Sequence, residues 1–154
     1  MDTKEMAKKL SNLVKLDIDA VHAYTKAIEH IDVPEVKRTL EGFMGDHERH
    51  IKNLSEQVRL LGETAPGLTK DFKGYLIEGF TAIRSRDTES ALKAMKTNEQ
   101  LTNRIYASAL KEKEAYPTNI MAILDLNYSD EQRHLSYIQT AINDRIWGKA
   151  KAGR

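Results

Sequence analysis

The sequence predicts an all-α fold, an antiparallel four-helix bundle with a long crossover between its second and third long helices. Three observations predict it. Only three prolines, Pro34, Pro66 and Pro117, interrupt 154 residues. Apolar residues recur in alternating steps of three and four, and strand-like alternation is nowhere sustained. Four long stretches with that period are joined by a short link, a long one and another short one. A long middle connection lets two hairpins be joined across the full length of a bundle.

The first helix is expected from about Thr3 to Ile31, capped by Asp2 or Thr3. The second opens near Asp32 or Val33, with Pro34 in its first turn, where the missing N–H costs nothing. It runs to about Leu61 and stops at Gly62. GETAPGLT reads as a loop, and residues 70–84, KDFKGYLIEGFTAIR, as a shorter helix within the crossover. Asp87 caps a third long helix from about Thr88 to Lys113. Tyr116 and Pro117 break the chain, and a fourth long helix runs from about Thr118 to Trp147. The tail GKAKAGR is basic and expected to fray. At 1.5 Å per residue each long helix spans about 40–45 Å.

The length suits one domain, residues 1–154, with one core. Hydrophobic residues make up 40% and charged residues 31%, the balance of a folded chain rather than a disordered one. A net charge of +1 gives no bulk attraction for nucleic acid or an anionic membrane. Apolar runs are too short to span a bilayer, and MDTKEMAKKL lacks the apolar stretch of a signal peptide. Cysteine is absent, which excludes disulfides, thiol catalysis and thiolate ligands. A cytoplasmic protein with no nucleic-acid or membrane partner is expected, and a homo-oligomer is left open. Gly74 and Gly79 sit in an amphipathic segment, not in a phosphate-binding loop. No serine or threonine has a convincing base and oxyanion arrangement around it.

Each long helix carries an inward seam. The first reads Met6, Leu10, Leu13, Asp17, Ala20, Tyr24, Ala27, and the second Val36, Leu40, Phe43, His47, His50, Leu54. The third reads Ala91, Met95, Glu99, Thr102, Tyr106, Ala109, and the fourth Ile120, Leu124, Asn127, Glu131, His134, Ile138, Ala141. Polar groups stand in the middle of every seam: Asp17, His47, His50, Glu99, Glu131 and His134. An unpaired buried carboxylate costs several kcal/mol, so scattered intrusions of this kind would be ruinous. Six that meet at one level satisfy each other, and a divalent cation satisfies them better.

The two halves also repeat. Seven residues separate Asp17 from Tyr24 and Glu99 from Tyr106. The pair His47/His50 matches Glu131/His134, with Asp46 matching Asp130 and Arg49 matching Arg133. A pseudo-twofold bundle would set one carboxylate plus one (i, i+3) pair against its copy.

With those residues in place, the chain resembles the ferritin-like superfamily over about residues 5–145. Its di-iron members place a Glu on each of two helices and a Glu-x-x-His on each of the other two. The resemblance implies that Asp17 and Glu99 are the lone carboxylates and that Glu131 and His134 form one intact Glu-x-x-His. Tyr24 then resembles the tyrosine near a ferritin oxidation centre. RDTESALKAMKTNEQLTNRIYASAL and the crossover look similar to a bacterial family of small ferritin-like bundles of unassigned function. One departure matters: His47 stands where a bridging glutamate is usual. Imidazole bridges poorly, so three carboxylates and three histidines count against a symmetric di-iron centre and point to a single Fe or Zn ion, or an unequal pair. Asp46 lies about 100° around the helix from His47, so it joins the set only with a register shift.

Two functions remain open at this level. One is metal binding by Asp17, His47, His50, Glu99, Glu131 and His134, with Fe or Zn as the cofactor, mono- or dinuclear, and oxygen or peroxide chemistry if the ion is iron. The other is a metal-free bundle, a stress-associated or interaction module whose polar residues fix helix register. Tyr24 and Tyr106 read first as core aromatics, able to donate to a ligating carboxylate if a metal is near. His22 and His30 fall off the seam and are expected at the surface. Trp147 beside the basic tail is a weak candidate contact.

Overall fold

A computed structural model describes residues 1–67 and 87–148, and all regular structure among them is helical. Four long helices form: α1 (Thr3–Glu29), α2 (Pro34–Leu60), α3 (Thr88–Leu110) and α4 (Thr118–Asn143). The expected short helix at 70–84 lies outside the described residues, as do residues 149–154 of the tail.

The helix ends follow local chemistry. Asp2 caps α1 by accepting from the Glu5 N–H, and Asp87 caps α3 by accepting from the Glu89 N–H and the Ser90 hydroxyl. α1 stops at Glu29, short of the expected Ile31, where the His30 N–H folds back onto the Ala27 carbonyl and the Ile31 N–H onto the Ile28 carbonyl. Val33, held extended ahead of Pro34, then starts α2. Gly62 follows the end of α2 with φ +86°, a left-handed conformation that favours glycine. α3 ends at Leu110 rather than Lys113, and a 3₁₀ turn at Lys113–Ala115 leads to Pro117. α4 ends at Asn143 rather than Trp147, because Arg145 takes a positive φ of 48° and breaks the helical path. Trp147 turns back against the core.

α1 packs most extensively on α2, and α3 on α4, as expected for two hairpins. α1 also packs on α3, and α2 on α4, which puts the helices in the cyclic order α1, α2, α4, α3. The α2–α4 contact is the least extensive of the four.

Two apolar clusters fill the ends of the bundle. One joins Leu10 and Leu13 of α1, Leu54 and Val58 of α2, Tyr106 of α3, and Ile120 and Leu124 of α4. The other joins Ala27, Leu40, Leu92, Met95 and Ile138. The start of α1 therefore meets the ends of α2 and α3 and the start of α4, so every pair of neighbours is antiparallel. α2 ends where α1 begins, and α3 begins at the opposite end. Between the clusters lies a layer of buried polar side chains.

No helix among the described residues is long and apolar enough to cross a membrane. His22 and His30 are half-buried rather than at the surface as expected. The middle of α1 is covered on more than its seam face, with every residue from Leu16 to Ala20 buried, so a residue off the seam is still shielded.

Candidate metal centre

All six seam residues singled out in the sequence meet in that middle layer, and all are fully buried: Asp17, His47, His50, Glu99, Glu131 and His134. The helical steps explain why. Residues three apart share a face, so His47 and His50 of α2 and Glu131 and His134 of α4 each project as a pair. Asp17 and Glu99 project from α1 and α3 at the same height.

Their atoms form two groups of four donors. In the first, His47 Nδ1 lies 2.7 Å from Asp17 Oδ1 and 3.3 Å from Glu131 Oε1. His50 Nδ1 lies 3.0 Å from the same Asp17 oxygen and 3.5 Å from the same Glu131 oxygen. In the second, His47 Nε2 lies 3.2 Å from Glu99 Oε1. His134 Nδ1 lies 3.3 Å from Glu99 Oε1 and 3.8 Å from Glu131 Oε2. Each group gathers one atom from each of four residues within 4.8 Å of one another, a set able to hold a metal ion. His47 and Glu131, the two residues the repeat aligns with each other, belong to both groups.

A surrounding layer fixes the rings. His50 Nε2 pairs with Asp130 Oδ2 at 2.8 Å, and His134 Nε2 with Asp46 Oδ2 at 2.8 Å. Asp46 thus does not turn inward as a ligand. It stays on its own face of α2 and orients the histidine of the other hairpin. Arg133 reaches Asp46 at 2.6 Å and Asp130 at 3.2 Å, and Arg49 reaches Asp130 and, at 3.3 Å, Asp46. Asp46 and Asp130 therefore each face one histidine and two arginines, a carboxylate–histidine arrangement that holds the imidazole in place. The sequence repeat contained this set, D-x-x-R-H twice, yet spacing alone did not reveal which partner each member takes.

Tyrosines cross the bundle. Tyr24 of α1 donates to Glu99 of α3, and Tyr106 of α3 donates to Asp17 of α1 at 2.5 Å. Both are core aromatics whose hydroxyls donate to a buried carboxylate. The Thr102 hydroxyl lies 3.0 Å from both Glu99 Oε2 and Glu131 Oε2. Asn127 donates to the Tyr106 oxygen at 3.3 Å, and Phe43 stacks on the His134 ring with centroids 4.2 Å apart. Thr102 and Asn127 were legible only as seam positions.

Proton occupancy follows from burial set against neighbours. Burial alone would push His47 and His50 down. The Glu131, Asp17 and Glu99 oxygens reverse this for His47 and hold it well above its usual range. Asp17 and Glu131 take His50 to about 10. Burial raises carboxyls, but His134 and His47 hold Glu99 well below its usual value, and His47 and His50 lower Asp17. Glu131 is the exception. Burial and the neighbouring Glu99 and Asp17 charges outweigh the histidines and raise it to about 8. A neutral Glu131 can donate to Thr102 while Thr102 donates to Glu99. Burial, followed by the adjoining carboxylates, pushes both tyrosines well above their usual value, so they remain donors.

Eight buried side-chain polar atoms among the described residues lack a well-formed hydrogen bond, and two of them belong to the donor groups. Glu131 Oε1 and His134 Nδ1 are buried and lack a hydrogen bond of acceptable geometry. One belongs to each donor group. Both still have ion-pair neighbours, Glu131 Oε1 at 3.3 Å from His47 Nδ1 and His134 Nδ1 at 3.3 Å from Glu99 Oε1, and a bound ion would satisfy them more fully. The donor chemistry fits one too: imidazole nitrogens and carboxylate oxygens suit Zn and Fe, and no thiolate is needed.

The family described as "Domain of unknown function (DUF2383)" matches residues 5–112, and the chain belongs to it. That stretch holds Asp17, His47, His50 and Glu99, while Glu131 and His134 lie beyond it on α4. None of the curated proteins compared with the chain matches it.

Proposed function

We propose that this member of the family is a metal-binding bundle of ferritin-like type, which holds a divalent transition ion between its two hairpins. The observation that carries this reading is the pair of buried four-donor groups, each with an atom, Glu131 Oε1 or His134 Nδ1, that lacks a well-formed hydrogen bond. Asp17, Glu99 and Glu131 supply oxygens that offset the ion's charge. His47, His50 and His134 supply nitrogens. Asp130 and Asp46 hold His50 and His134 with Nδ1 facing the centre. Tyr24 and Tyr106 donate to Glu99 and Asp17, which fixes those carboxylates without adding charge. Bound iron would supply electron transfer to oxygen or peroxide, and bound zinc a Lewis acid.

Protein purified without chelator or affinity tag should carry Fe or Zn in fixed ratio to the chain, and Glu131→Ala should lose it. Protein that contains no metal, takes none up, and is equally stable with and without chelator would refute the reading.

A second reading has its own observation. Without a metal, His47 is already held between Asp17 at 2.7 Å and Glu99 at 3.2 Å. A hydrogen-bonded layer of that kind can fix helix register in a structural or interaction module. The chelator experiment separates the two.

A further inference from the structure

We propose that the centre is dinuclear, with the His47 ring bridging two divalent ions as an imidazolate, one on Nδ1 and one on Nε2. This rests on the reading of the cluster as a metal centre and goes beyond it, because a single ion would use only one of the two donor groups.

Both faces of the His47 ring point at donors. Nδ1 looks into the group with Asp17, His50 and Glu131 Oε1, and Nε2 into the group with Glu99, His134 and Glu131 Oε2. Neither nitrogen is turned to solvent or to a backbone carbonyl. Glu131 also divides itself, one oxygen to each group. Each group is then two nitrogens and two oxygens.

The spacing suits tetrahedral ions. Donors about 2.0–2.1 Å from a zinc-sized ion stand about 3.3 Å from each other at the corners of a tetrahedron. The nitrogen–oxygen ion-pair separations run from 2.7 to 3.5 Å in the first group and from 3.2 to 3.8 Å in the second, and all donor atoms of each group lie within 4.8 Å of one another. The short end is the Asp17–His47 contact, a hydrogen bond that an ion would replace.

An atom without a well-formed hydrogen bond stands in each group, Glu131 Oε1 in the first and His134 Nδ1 in the second. One ion would leave the other atom with only its ion-pair neighbours, His47 and His50 for Glu131 Oε1 or Glu99 and Glu131 Oε2 for His134 Nδ1. Two satisfy both. As the two metal–nitrogen bonds form, the His47 ring gives up its N–H protons to buffer, and no electron is transferred.

A bridging carboxylate at this position would let two ions share a single oxygen. A ring keeps them its own width apart. The chain therefore departs from a pair bridged by carboxylates alone, because the His47 ring joins the Glu131 carboxylate between the two groups.

The test uses the full-length, tag-free chain with His22→Ala and His30→Ala, which removes the two histidines outside the cluster. Chelator-stripped protein is titrated with Co²⁺, followed by visible absorption and metal analysis, and separately loaded with Cu²⁺ for electron paramagnetic resonance. Two ions per chain are expected, one in His50→Ala and one in His134→Ala. The dicopper form should show exchange coupling, with less than the full signal of two isolated Cu²⁺ ions at low temperature. His47→Ala should restore the isolated signal in proportion to the copper it still holds. One ion per chain, or two with a full uncoupled signal, would overturn the bridge and leave the metal centre standing. No ion in the unmutated cluster would overturn both. If His47→Ala does not fold, stoichiometry and spin count of the parent still decide.

Discussion

Glu131 is the residue on which the protonation of the centre turns. It touches both donor groups, and it alone of the three acids is raised, to about 8, by burial and by neighbouring carboxylates. Near neutral pH the metal-free protein therefore holds it as a neutral acid, for which glutamine is a close stand-in. Glu131→Gln is expected to leave the melting temperature of chelator-treated protein nearly unchanged and to remove the rise that Zn²⁺ gives the parent. Equal stabilisation of the two by Zn²⁺ would remove Glu131 from the ligand set. Tyr24→Phe acts differently. It deletes a buried donor to a charged carboxylate, a bond of the kind that contributes about 1.5–3 kcal/mol, and urea unfolding of the metal-free protein should show a loss of that order.

At the scale of the elements, the α2–α4 contact, the least extensive between neighbours, is crossed by polar links. Asp46 and Asp130 join the hairpins through His134, His50, Arg133 and Arg49. The arginines are about half exposed, so each surface pair contributes about 0–1 kcal/mol at most. The aspartates matter more, because they orient histidines. Asp46→Ala should weaken metal affinity by roughly 10- to 100-fold while the fold survives, since loss of such an outer partner has that effect. Competition with a chromophoric chelator measures it. At a helix start, Asp87→Ala removes the side-chain acceptor for the Glu89 N–H and should cost about 1 kcal/mol in chemical denaturation.

The elements were also where the sequence was most readable. A period of three and four identified the seams, and with them every member of the buried cluster, because burial follows helical phase. Helix ends were less readable. The positive φ of Arg145 and the 3₁₀ turn at Lys113–Ala115 are tertiary outcomes with no strong local signal. Hydrogen-bond partners were harder still. The match of Asp46 to Asp130 was visible, but its meaning depends on how two hairpins face each other, and a one-dimensional repeat does not encode that. His22 and His30 were placed too far out, because seam phase describes only one covered face.

For the molecule as a whole, the layer couples protonation to folding. Glu131 has an ordinary value of 4.5 and a folded value of about 8, and His50 moves from 6.5 to about 10. Both raised values mean the folded state keeps protons that the unfolded chain releases. The Glu131 contribution is complete below 4.5 and lost as pH rises through 8. The His50 contribution is complete below 6.5 and lost as pH rises through 10. The lowered carboxyls Asp17, Glu99, Asp46 and Asp130 act oppositely: their contribution is present above their ordinary values and disappears as pH falls. Metal-free protein should therefore melt highest at about pH 4.5–5 and lose stability toward pH 10. Metal affinity should rise over the same upward range, as ligand protons leave. Calorimetry across pH, with and without Zn²⁺, reads both slopes.

The apolar clusters that close both ends of the polar layer have a kinetic consequence. Nothing held between them can diffuse out along the axis. Escape requires helices to part, an opening whose frequency belongs to the protein and not to whatever waits outside. Removal of a bound ion by a strong chelator should accordingly reach a ceiling rate that further chelator cannot raise. The same ceiling should climb when the arginine links between α2 and α4 are cut.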